Sequence, residues 1–164
     1  KILVKDPKNY DARAEVMWAG SLSHNGLTGC GAVVGGDFAS HALEHEIGGI
    51  YDVAHGAGLA AVWGSWARYV YKDCLPRFEK FAMNVMQVNP EGTAEEVALR
   101  GIEAMETFFR EIGMPTSIHE LGIEPGEEDL KLMAHKCSIA SKGSKGSAKV
   151  LHEEDMYKIY KAAL

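Results

Sequence analysis

An all-α domain is what three features of the 164-residue chain predict. Apolar residues recur mostly at three- and four-residue spacing; no stretch alternates with a period of two in a Val-, Ile- and Thr-rich run; and helix start and stop signals punctuate the chain throughout. The predicted architecture is a bundle of about seven helices in a single domain, residues 1–164.

Asp11 is the expected cap of the first helix, which carries Val16, Met17 and Leu22 to about Leu27 before the glycines at 29, 31, 35 and 36 end it. Asp37 caps the second, which bears His41 and His45 and should weaken at Gly48 and Gly49. A third begins near His55 and runs through Trp63, Trp66 and Tyr69, and a fourth spans Leu75 to about Val88 until Asn89-Pro90 stops it. Thr93 and Glu96 form a capping box for the fifth, whose apolar face is Val97, Leu99, Ile102, Met105, Phe108 and Phe109, closed by Gly113-Met114-Pro115. Glu124 to about Ala140 and Glu153 to Ala163 are the sixth and seventh, separated by a Gly, Ser and Lys loop, residues 141–147, expected to be solvated and mobile. Trp18, Trp63 and Trp66 read as core.

Composition narrows the function classes. With 46% apolar and 24% charged residues and a net charge of −6, the chain is a globular type and lacks the basic excess that nucleic-acid or anionic-membrane binding requires. The weakly charged stretch Ile47 to Trp66 holds Asp52, His55 and five glycines and reads as core, so no membrane span is expected. Cys30, Cys74 and Cys137 are far apart and odd in number, which suits a reducing, cytoplasmic compartment. The opening at Lys1 carries the expectation that the gene starts further upstream. No dinucleotide fingerprint, phosphate loop or nucleophile elbow is present.

Three of the seven histidines fall within fifteen residues: His41-Ala-Leu-Glu-His45, then His55. A spacing of four places His41 and His45 on one helix face. On an unbroken helix His55 would lie about 21 Å from His41 along the axis, too far to share an ion with nitrogen ligands at about 2.1 Å, so the chain must turn if they cooperate. Gly48, Gly49 and Gly56 offer places to turn. Glu44, Glu46 and Asp52 are near enough to be further ligands; Glu44 and Glu46 read more simply as solvated helix charges, with orientation of an imidazole as the alternative. A zincin protease would need Glu after the first histidine, where Ala42 stands. Spacing alone leaves open a metal site and a set of ordinary core or surface histidines.

The run His41-Ala-Leu-Glu-His45-Glu-Ile-Gly-Gly-Ile-Tyr-Asp-Val-Ala-His55-Gly56 resembles the histidine signature of iron-containing alcohol dehydrogenases, above all the butanol dehydrogenase branch. The likeness continues in Tyr10 to Gly20, Ser23 to Leu27, Phe108 to Ser117, Glu120 to Ile123 and Glu154 to Leu164, all similar to that branch's C-terminal, metal-binding domain. The resemblance implies His41 and His55 as ligands of a catalytic divalent metal, with Fe2+ expected and Zn2+ or Ni2+ as alternatives because iron ranks low in divalent affinity. It implies His45 as a catalytic residue beside metal and nicotinamide, relaying the hydroxyl proton. The implied reaction interconverts primary, butanol-like alcohols and aldehydes with NAD(P)H.

Nothing in residues 1–40 matches the family's paired Asp and His ligands, and its Gly-rich nucleotide segment is absent. The resemblance therefore implies an N-terminal nucleotide-binding domain as the missing partner and an inactive isolated chain, and it leaves room for a homodimer. A helical protein-interaction module and an independent three-histidine metalloprotein are the competing readings.

Overall fold

Asn9 and Thr93 cap the helices that follow them with their own side chains. In the computed structural model, which describes residues 1–32 and 36–164, every regular element of the described residues is helical. Expectations that rest on Gly35 lie outside the described residues. The all-α reading of the sequence is therefore met, and the chain divides into two compact units, Lys1–Gly36 and Asp37–Leu164.

The first unit contains α1 (Ile2–Lys5), α2 (Tyr10–His24) and a 3-10 turn (Leu27–Gly29). Helix α2 starts earlier than the sequence suggests, because the Asn9 side chain accepts the Ala12 N–H at 3.0 Å and Asp11 falls inside the first turn. Neither helix buries a residue, and Trp18, expected in the core, is 64% exposed.

The second unit holds α3 (Ala39–Tyr51), α4 (His55–Val70), α5 (Leu75–Asn84), α6 (Ala94–Glu111), α7 (Glu127–Ala140) and α8 (Glu153–Ala162). Asp37 does begin α3, as its Oδ1 accepts the Ala39 N–H at 2.9 Å, with Phe38 between them in the left-handed region at φ 54°. Its other oxygen accepts the N–H groups of Ser147 and Ala148 at 2.6 and 2.7 Å. The expected mobile loop is thereby tied to α3, and an antiparallel bridge between Lys145 and Leu151 folds it back on itself. The Gly, Ser and Lys composition of that segment signals a loop but not its partner 110 residues away.

Helix α5 ends earlier than expected, since Gln87 adopts φ 56° and Val88 N–H turns back to the Ala82 carbonyl at 3.1 Å. The capping box of α6 is formed as read: Thr93 Oγ1 accepts Glu96 N–H at 3.3 Å and Glu96 accepts Thr93 N–H at 2.7 Å. Helices α5 and α6 lie so close that a Cβ on Gly101 would stand 2.4 Å from Ala82 Cβ and 2.7 Å from its Cα. Burial of Leu43, Ile47, Val62, Ile102, Leu130, Met133, Met156, Ile159 and Tyr160 builds the core of this unit. Tyr160, from α8, donates its hydroxyl proton to the Leu43 carbonyl of α3 at 2.6 Å.

Asp155 joins α8 to α4. It accepts the His152 N–H at 2.9 Å and the Tyr69 hydroxyl at 2.5 Å. Burial pushes the carboxyl upward, but those two hydrogen bonds outweigh it and hold Asp155 below the ordinary range. The bond to Asp155, reinforced by burial, pushes Tyr69 up to about 12. A phenol that keeps its proton longer when folded contributes stability that is complete below its unfolded pKa of about 10 and fades as pH rises through the folded value. Tyr69→Phe is expected to cost about 1 kcal/mol near pH 8 and to flatten the loss between pH 10 and 12, read from urea midpoints across that range. An unchanged alkaline slope would show that the Tyr69 hydrogen bond contributes nothing.

Candidate metal centre

The turn that brings the histidines together falls later than the glycines suggest. Helix α3 passes through Gly48 and Gly49 and stops at Asp52, whose φ of 52° is left-handed and whose N–H reaches the Gly48 carbonyl at 2.9 Å. Asp52, Val53 and Ala54 make the connection, and His55 is the first residue of α4. The helix survives the glycine pair because packing, not local propensity, holds it.

All three histidines of the run converge on this hairpin. Ring centres are 5.4 Å apart for His41 and His55, 5.5 Å for His45 and His55, and 6.5 Å for His41 and His45. Two imidazoles that share an ion through nitrogens at about 2.1 Å hold their ring centres about 5 Å apart, so the spacing suits a divalent metal. Glu44, His45 and His55 also present one ligand atom each within 4.8 Å of one another. The donor set, imidazole with a carboxylate, is one that iron, zinc and nickel all accept.

Glu44 is the site residue that the sequence misjudged. Read as a solvated helix charge, it is 2% exposed, and its Oε2 meets Nδ1 of His55, whose side chain is half exposed. Two glycines make space for it: a Cβ on Gly58 would lie 2.7 Å from Oε1 and 2.8 Å from Cγ, and one on Gly48 would lie 3.1 Å from Oε1. Gly48 stands four residues after Glu44 on one helix face, and that was the only local hint. Asp52 is exposed at the end of α3 and takes no part, while Glu46 leans toward Lys136 at 3.8 Å.

A cleft of about 420 Å³ adjoins the histidines, lined by Phe38, His41, His45, Glu46, Cys137 and Lys145 among others. Burial and the nearby Glu46 push the Cys137 thiol up to about 11, so it stays protonated near neutrality and has no nucleophilic role. Elsewhere in this unit His119 pairs with Glu124 and His135 with Glu153, both at 3.1 Å on the surface. Among the described residues no helix is long and apolar enough to cross a membrane.

Comparison with known proteins follows the same lines. The family model described as "Fe-containing alcohol dehydrogenase family, C-terminal" matches residues 1–164. NADH-dependent butanol dehydrogenase A of Clostridium acetobutylicum is 34% identical over 98% of this chain and 41% of its own length. In solved structures, the NADH-dependent butanol dehydrogenase A of Thermotoga maritima superposes with a TM-score of 0.86 at 37% identity, covering 98% of this chain and 41% of that one. The aldehyde reductase YqhD of E. coli superposes at 0.89 with 28% identity, over 99% and 41%. The chain thus spans about two-fifths of the length of these relatives.

Proposed function

This chain belongs to the Fe-containing alcohol dehydrogenase family, and from that premise we propose that it is the metal-bearing part of an NAD(H)-linked dehydrogenase acting on primary, butanol-like alcohols and their aldehydes. The observation that carries this reading is the convergence of His41, His45 and His55 across the α3–α4 hairpin, with ring centres of His41 and His55 5.4 Å apart. His41 and His55 are the proposed ligands, and the ion is a divalent metal, iron first, with zinc or nickel as substitutes. Two imidazoles leave a coordination shell incomplete, so the proposal includes further ligands and the nicotinamide site from a nucleotide-binding part of the same polypeptide.

Oxidation of a primary alcohol takes a hydride from its carbon and a proton from its oxygen, leaving an aldehyde. A bound divalent metal supplies Lewis acidity at the alcohol oxygen, and a nicotinamide supplies the hydride acceptor. His45, exposed beside the other two rings, receives the hydroxyl proton and passes it toward the cleft. Phe38 stacks edge-on to His41 at 5.4 Å and gives the cleft an apolar wall suited to an alkyl chain. The odd, scattered cysteines support a reducing, cytoplasmic setting.

The polypeptide that carries this chain behind its nucleotide-binding part is expected to reduce NAD+ in the presence of butan-1-ol. That activity should vanish on removal of metal with a chelator and return with Fe2+, whereas the 164-residue chain alone should show none. Turnover insensitive to the chelator would overturn the metal-dependent reading.

A further inference from the structure

We propose that Glu44 is the positioning residue of His55: its buried carboxylate fixes the imidazole through Nδ1 and so presents Nε2 to the ion. The inference rests on the metal-centre reading above and adds a residue to it.

The Glu44 carboxylate is held in a pocket between α3 and α4. Oε2 faces His55 Nδ1, and Oε1 fills the space left by the missing side chains of Gly48 and Gly58. At 2% exposure a carboxylate calls for a hydrogen-bond partner, and the His55 imidazole supplies one. With the carboxylate oxygen as acceptor and Nδ1–H as donor in this pair, the lone pair of the ring is left on Nε2. The His55 side chain, by contrast, is 51% exposed at the first residue of α4. One buried carboxylate on α3 therefore meets a half-exposed ring on α4, and that ring stands 5.4 Å from His41 between centres. Carboxylates in this relation to metal-binding histidines fix the tautomer and strengthen the ligand.

The test uses the metal-free chain with nitrogen-15-labelled histidine, and then Ni2+ titration by calorimetry. Wild-type His55 is expected to read as the Nδ1–H tautomer, and Glu44→Gln, whose amide can donate as well as accept, to lose that bias. Ni2+ affinity should fall about 10- to 100-fold in Glu44→Gln, short of the complete loss in His55→Ala. A His55 carrying its proton on Nε2 in the wild type overturns the proposal without any variant. So does a Glu44→Gln affinity within about twofold of wild type, or a loss as complete as that of His55→Ala with the tautomer unchanged, which would make Glu44 a ligand. If neither His41→Ala nor His55→Ala weakens Ni2+ binding, the metal-centre reading fails by itself, and the tautomer alone decides whether Glu44 positions His55.

Discussion

His55→Ala and His41→Ala are each expected to weaken divalent-metal binding by at least about 100-fold, more than the loss of an outer partner produces. Under the proposed dehydrogenase function, the same variants in the longer polypeptide should abolish alcohol oxidation. The pair is singled out by the resemblance; ring spacing alone treats His45 and His41 almost alike with respect to His55. His45→Ala is therefore the decisive comparison. If His45 relays a proton, its removal should lower turnover far more than it lowers affinity, read by calorimetry beside steady-state kinetics. An affinity loss in His45→Ala equal to that in His55→Ala would favour a three-histidine site instead.

Gly101→Val is expected to destabilise the chain by about 2–4 kcal/mol, a large share of what a domain of this size has to lose. The site has no room: a Cβ alone would stand 2.7 Å from the backbone Cα of Ala82, and backbone cannot rotate away as a side chain can. Relief would require α5 and α6 to part along a seam that also buries Phe78, Val97, Ala98 and Ile102. Gly49→Ala supplies the contrast. It too lies inside a helix, but nothing stands within 4 Å of its added Cβ, so the gain in helix propensity should be free to appear as stabilisation of up to about 1 kcal/mol. Thermal and urea unfolding of the two variants would check both signs, and a neutral Gly101→Val would show that the helices can yield.

Local signals in this sequence are legible where the chemistry is local. The Thr93 and Glu96 pair closes its own box within four residues. Errors arose where the deciding partner is distant in sequence. Glu44 looks like a solvent-facing helix charge until Gly58, on the next helix, is seen to leave space for it. The glycines at 48 and 49 were given the role of a hinge, yet one serves as room for that carboxylate and the turn is made at Asp52 by a non-glycine residue at φ 52°. Trp18 carries the spacing of a core residue on a helix that buries nothing within its own unit. For the site itself, three rings could be nominated from spacing, while the choice of His41 and His55 as the pair needed the family likeness.

The double grip of Asp37 and the hydroxyl of Tyr160 set an order of events on the ribosome. Helix α3 is anchored by Ser147 and Ala148 at one point and by Tyr160 at another, partners 110 to 117 residues further along the chain. Contacts of such span must wait for their loops to close, and a nascent chain lacks them until residues 147–160 have emerged. The hairpin that bears the histidines is synthesised well before the residues that anchor it. A ribosome-stalled chain ending before residue 145 would therefore carry the histidine hairpin without any of these three anchors.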